Sequence, residues 1–202
     1  MELNVHDIVM INSSEAVFFL TEKPAWVDDV LSNTPYVIVR RAPVIDGRIP
    51  VGVRGDKRSE RIAGFINKSD IEKVIKPADI VGNLSSFSRM VELKKTLDQV
   101  SLIMKRLKVN WGIIGSIAYE IVTNKEVVNE KSDIDIIISS ELTRGLAIRL
   151  LFQIKSLPIR VDITVEKSIG GYNLAEYLET ESDKMLVKTI NGPQLIGKKE
   201  LT

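Results

Sequence analysis

The stretch Ser132-Asp133-Ile134-Asp135 running into Ile136-Ile137-Ile138 constrains this chain more than any other. Carboxylate and isoleucine alternate with the period of a strand, so Asp133 and Asp135 share one face. Ile134, Ile136 and Ile138 then fill the other face and anchor it in a core. Two carboxylates side by side, with no His or Cys near them, are hard oxygen donors suited to Mg²⁺ or Mn²⁺. Upstream, Gly115-Ser116 opens a helical stretch over 116–123. A helix start offers unbonded N–H groups and a positive dipole end to a phosphate. Asp-x-Asp alone recurs in surface turns, and Gly-Ser is an ordinary turn and N-cap pair. The order strand, Gly-Ser, helix, loop, Ser-Asp-x-Asp, apolar strand is far more restrictive. It points to metal-dependent nucleotidyl transfer.

A third carboxylate belongs with these two. The segment Pro158-Ile159-Arg160-Val161-Asp162-Ile163-Thr164-Val165 reads as a strand with Asp162 near its middle. A buried, unpaired Asp there would be costly, so it either faces solvent on an edge or joins charged partners. Beside the strand of 133–139 it completes a set able to hold two divalent ions across an in-line displacement.

Bulk properties exclude more than they select. The chain has no cysteine, and hence no disulfide framework, thiol nucleophile or zinc-thiolate site. No apolar run reaches the roughly 20 residues of a membrane helix, and Met1-Glu2-Leu3-Asn4 lacks a secretory start, so a cytoplasmic location is expected. A formal net charge of +1 argues against a nucleic-acid binder, which would be strongly basic.

The charge is uneven along the chain. Between Arg40 and Arg61 stand seven basic residues (Arg40, Arg41, Arg48, Arg54, Lys57, Arg58, Arg61) against three acids. This segment reads either as a solvated hairpin or as a polyphosphate clamp, for which arginine's fork is suited. Tyr36-Val37-Ile38-Val39 and the run at 49–55 read as strands, and 58–66 as a short helix. Lys76-Pro77-Ala78-Asp79 to Gly82-Asn83 marks a boundary, giving an N-terminal, Arg-rich substrate-binding domain over 1–80 and a catalytic domain over 81–202. Residues 88–108 carry a helical apolar stripe that is packing. Val109 to Ile114 reads as a strand, 142–154 as a helix, and Gly170-Gly171-Tyr172 as the opening of another helix. There Tyr172 either offers a ring to adenine or fills the core. His6, the only histidine, is expected to fix the N-terminal strand. The fold class is α+β: a nucleotidyltransferase-type mixed sheet with flanking helices, preceded by a smaller α/β domain.

Several blocks resemble one family. They are His6-Asp7-Ile8-Val9, Trp26-Val27, Val39-Arg40-Arg41-Ala42, Ile49-Pro50-Val51-Gly52-Val53-Arg54-Gly55 and Arg61 in the first half. In the second half they are Trp111-Gly112, Gly115-Ser116, Ser132-Asp133-Ile134-Asp135, Arg160-Val161-Asp162, Gly170-Gly171-Tyr172-Asn173-Leu174-Ala175-Glu176-Tyr177, Thr189 and Gly192-Pro193. Across nearly the whole chain this is similar to the malonate decarboxylase holo-acyl-carrier-protein synthases, or phosphoribosyl-dephospho-CoA transferases. The Ser-Asp-x-Asp element is shared with the wider DNA polymerase beta-like superfamily, whereas the Arg-Arg-Ala and Ile-Pro-Val-Gly-x-Arg-Gly blocks are more specific. Met10 departs from a Trp common after His-Asp, and Thr164-Val165-Glu166 from a more amide-rich strand.

The resemblance implies transfer of the phosphoribosyl-dephospho-CoA group from triphosphoribosyl-dephospho-CoA to a serine of an apo-acyl-carrier protein, with pyrophosphate leaving. It implies Asp133 and Asp135 as catalytic metal ligands, with Asp162 as third ligand and candidate acceptor of the serine proton. Gly115 and Ser116 would hold departing phosphates; Arg40, Arg41, Arg54 and Arg61 would hold the rest of the triphosphate or the CoA-like tail. The competing readings are a citrate-lyase prosthetic-group transferase, a nucleotidyltransferase acting on RNA, a small molecule or another protein, and a non-catalytic partner-binding module.

Overall fold

Two stretches of apolar alternation build two sheets. The computed structural model describes residues 2–57 and 59–201. In the first stretch β1 (Ile8–Ile11) is followed by α1 (Trp26–Asn33), β2 (Tyr36–Val39), β3 (Ile49–Arg54), β4 (Arg61–Ile66) and β5 (Ile71–Ile75). The strands form an antiparallel sheet in the order β4-β3-β2-β1-β5. Its two faces are both apolar. Val9, Ile11, Val37, Val39, Val51 and Val53 pack with Val27, Val30 and Leu31 of α1 on one side. On the other, the cross-strand neighbours Ile38, Ile8 and Ile75 join the core of the second half. The two halves are therefore continuous through packed side chains.

Next come α2 (Pro77–Val81), α3 (Val91–Leu107), β6 (Gly112–Ile113), α4 (Gly115–Thr123), β7 (Ile134–Ile138), α5 (Arg144–Lys155) and β8 (Val161–Lys167). They are followed by β9 (Gly170–Asn173), α6 (Leu174–Glu179), β10 (Lys184–Thr189) and β11 (Gly192–Gly197). The second sheet runs β11-β10-β9-β8-β7-β6 and is mixed, with β7 and β8 its parallel pair. A parallel pair needs a crossover, which α5 supplies. Ile134, Ile136, Ile138, Ile163 and Val165 turn into a core with Leu93, Leu97 and Val100 of α3 and Ala147, Leu150 and Ile154 of α5. Each of these Ile, Leu and Val side chains contributes roughly 1.5–3 kcal/mol relative to exposure, enough to hold the strands and leave their other face free for polar residues. The class is α+β, as the sequence implies.

Three local expectations change. Residues 61–66 are strand, not helix, because β3 offers an unbroken ladder from Ile49↔Ile66 to Arg54↔Arg61. Tertiary pairing overrides the weak local preference; Arg58 lies outside the described residues. Val109 to Ile114 is strand only at Gly112–Ile113. Gly170-Gly171-Tyr172 forms β9, and the helix starts afterwards, where Asn173 Oδ1 accepts from Ala175 and Glu176 N–H at 2.9 and 3.1 Å.

Candidate active site

The strand alternation that buries the isoleucines puts the carboxylates on the opposite face. Asp135 and Asp162 are direct partners across the parallel β7–β8 ladder. Asp133 stands just before β7 and is, like them, only partly buried. Thr164 and Glu166 continue the same face along β8, while Ile163 and Val165 are buried behind it. Burial first, then the charges of Asp162 and Asp133, push the Asp135 carboxyl above its ordinary range, against the pull of Lys188 and Arg160. Three like charges therefore crowd one patch, and a cation placed there would relieve them.

α4 begins directly over this patch. Ile114 N–H donates to the Asp135 carbonyl at 3.0 Å, and the chain then turns at Gly115 with φ +73°. A Cβ at Gly115 would fall on Asp135 Oδ2 and stand 3.1 Å from its Cβ and Cγ. Glycine is required for both the left-handed turn and the close approach. The free N–H groups of the first turn, at Gly115 and half-buried Ser116, thus start beside Asp135. Further back, Arg89 Nε and Nη2 donate to the Glu120 carboxylate at 2.8 and 2.9 Å, and Val127 and Val128 N–H donate to it at 2.8 Å. Burial would raise the Glu120 carboxyl, yet these donors hold it below its ordinary value. The network ties down the loop that delivers Asp133.

Asp162 is engaged. Arg160 Nε and Nη2 donate to its Oδ1 at 3.2 and 3.0 Å, from a side chain that is 70% exposed. Among the described residues no three His, Asp or Glu side chains form a ready metal-binding group. The donor chemistry, three carboxylates and no thiol, nevertheless matches a hard divalent cation.

The arginines divide. Arg41 reaches from beyond β2 to β8, where its Nη1 and Nη2 each donate at 2.5 Å to one oxygen of Glu166. It clasps the two halves, which the sequence reading did not foresee. A Cβ on Gly171 would stand 2.8 Å from Arg41 Nη2 and 2.9 Å from Glu166 Oε2, so Gly171 leaves space for this clasp, whereas a Cβ on Gly170 would stand 2.4 Å from the Lys188 carbonyl oxygen. Arg54 sits 5.6 Å from the ring centroid of Tyr119 on α4, and Asp56 pairs with Lys125 at 2.5 Å beyond that helix. Arg61 is the register partner of Arg54 and is exposed. Arg40 is exposed at the end of β2, its stem beside Gly52. Tyr172 is 7% exposed in the core, with its ring 5.3 Å from that of Tyr177, and burial pushes its hydroxyl up to about 12. Its ring is thereby packed among apolar side chains and is not on the open face.

Two further residues lie near the site: Lys188, not among the expected site residues, and His6, expected only to fix the N-terminal strand. Lys188 on β10 is the register partner of Gly171, itself the partner of Glu166, so it shares the open face. The alternation of exposed Lys184, Leu186 and Lys188 with buried Met185, Val187 and Thr189 was the available sign. His6 has a left-handed backbone, φ 74°, with its N–H bonded to the Val39 carbonyl at 3.0 Å. Burial, then Arg41 and Lys188, push its imidazole down to about 4, so it is neutral near pH 7.

Comparison with known proteins places these features. Residues 4–77 match the model of the phosphoribosyl-dephospho-CoA transferase MdcG N-terminal domain, and residues 83–199 that of the corresponding C-terminal domain. A phosphoribosyl-dephospho-CoA transferase of Klebsiella pneumoniae subsp. pneumoniae is 31% identical over 193 residues, covering 94% of this chain and 92% of that one. Those of Azotobacter vinelandii strain DJ and Pseudomonas putida strain W619 are 30% and 28% identical, covering 86% and 87% of this chain and 84% and 85% of theirs. No solved structure matches.

Proposed function

From the premise that this chain belongs to the phosphoribosyl-dephospho-CoA transferase family, we propose the reaction in full: it moves the phosphoribosyl-dephospho-CoA group of triphosphoribosyl-dephospho-CoA to a serine of the apo-acyl-carrier subunit of a malonate decarboxylase. The serine oxygen bonds to the α-phosphorus, the bond from that phosphorus to the β-phosphate oxygen breaks, and pyrophosphate leaves. The observation that carries this reading is the in-register pair Asp135 and Asp162 beneath the Gly115 end of α4.

Asp133, Asp135 and Asp162 would hold Mg²⁺ or Mn²⁺; their mutual crowding supports the fit. When bound, the ion neutralises charge on the transferring phosphate. The N–H groups at the start of α4 receive phosphate oxygens and orient the leaving group. Asp162, on the open face, is the acceptor of the serine proton. Arg54 and Arg61, paired on the β3–β4 hairpin, offer charge to the donor from the other half. The test incubates the protein with apo-carrier, Mg²⁺ and the donor, offers ATP in competition, and reads carrier mass. Addition of the phosphoribosyl-dephospho-CoA group is expected. Predominant adenylylation, or equal labelling of an unrelated protein, overturns the reading.

A further inference from the structure

The open face does not end at the carboxylates, and the proposed donor does not end at its triphosphate. Dephospho-CoA carries a diphosphate bridge between adenosine and pantetheine. The added ribose and the adenosine ribose separate that bridge from the reacting phosphate. Glu166 follows Asp162 by four residues on β8, so at ~3.3 Å per residue its row lies roughly 13 Å along the face. That row reads Glu166, Gly171, Lys188 across β8, β9 and β10. Gly171 contributes no side chain, and Arg41 descends onto it to take both oxygens of Glu166. Glu166 is thereby neutralised, while among the described residues Lys188 forms no ion pair and its exposed ammonium remains available.

His6 completes the corner from the other half. Its N–H bond to Val39 sets it two residues from Arg41 along the neighbouring chain. Its imidazole makes no side-chain hydrogen bond among the described residues. A left-handed backbone at a residue other than glycine is strained and recurs at ligand clamps. We propose that Lys188 and His6 form a second phosphate subsite, which takes the diphosphate of the dephospho-CoA moiety, with the Arg41–Glu166 clasp as its floor. This rests on the reaction proposed above. Lys188 supplies charge and His6 a neutral N–H donor, so the tail is gripped where no bond changes and the reacting phosphate is aligned.

The test titrates dephospho-CoA and, separately, adenosine, which lacks the diphosphate, into wild type, Lys188→Gln and His6→Gln, with thermal melting of each as a check on folding. Lys188→Gln is expected to weaken dephospho-CoA on the order of tenfold to a hundredfold, the loss of one charge-assisted contact, and His6→Gln by about tenfold. Adenosine affinity is expected to stay within about twofold in both, and transfer assays to show a raised donor KM more than a lowered kcat. Unchanged dephospho-CoA affinity in Lys188→Gln, or a parallel loss of adenosine binding, overturns the subsite. A wild-type protein that does not bind dephospho-CoA overturns it too. Binding that depends on Lys188, without modification of any carrier, keeps the subsite and overturns the reaction.

Discussion

Gly115→Ala isolates the contact that sets the geometry of the candidate site. The substitution forces alanine into φ +73°, which costs about 1–2 kcal/mol. It also sets a methyl group on Asp135 Oδ2. That carboxylate is the end of a short side chain, so it escapes by rotating off its preferred χ angle, for about another 0.5–1.5 kcal/mol. The sum is roughly 1.5–3.5 kcal/mol, which at about 2–4 °C per kcal/mol lowers Tm by roughly 3–14 °C. Displacing a reacting group by about 1 Å costs on the order of a hundredfold in turnover. Gly47→Ala is the matched control: φ is +75° and a Cβ there meets nothing within 4 Å. It should lose only the backbone part of the stability and keep full transfer. Calorimetry and carrier-mass kinetics on both variants decide the matter. If Gly115→Ala melts with Gly47→Ala and turns over at the wild-type rate, the glycine does not hold Asp135 in place.

Three further outcomes follow from the charges. Asp135→Asn should abolish transfer and raise stability at neutral pH. A raised carboxyl favours the fold when protonated and opposes it once ionised, so the gain should vanish as pH falls into the ordinary carboxylate range; a loss of stability near pH 7 would contradict this. For His6, depressed to about 4, the unfolded chain takes the proton first. Wild type should therefore lose roughly 1–3 kcal/mol between pH 6.5 and 4 relative to His6→Gln, and parallel stability curves would refute it. Arg41→Met or Glu166→Gln alone should cost about 2–4 kcal/mol, since the pair is 14% and 21% exposed and one charge is left behind. The double variant should recover part of that in urea unfolding; single losses under 1 kcal/mol would place the clasp among ordinary surface pairs.

The carboxylate face was readable because two-residue alternation is a local property. Ile134, Asp135 and Ile136 announce their sides, and so do Asp162 and Ile163. That Asp135 and Asp162 meet was legible only as a conditional, since strand adjacency is set by the crossover through α5. The long α3 was legible from its apolar stripe. What stayed hidden depends on partners distant in sequence. Residues 61–66 needed β3 to become a strand, and Tyr172 needed the pleat of β9 to be sent inward. Arg41 looked like a phosphate ligand because its segment is basic; its partner is 125 positions away. Gly171 reads as part of a helix opening, while in the fold it lies in β9 with Arg41 Nη2 2.8 Å from where a Cβ would stand.

The parallel pairing of β7 with β8 also bears on how such a chain can change length. Asp135 and Asp162 are joined in space by a ladder but in sequence by α5 and two loops. Residues inserted at 139–143 or 156–160 lengthen the path without moving either carboxylate, as exposed connections commonly allow. One residue deleted inside β8 would do the opposite. It would turn Ile163 outward and drive a carboxylate into the apolar layer behind the sheet. Drift in length should therefore gather in the crossover, while the count of residues from Val161 to Glu166 stays fixed.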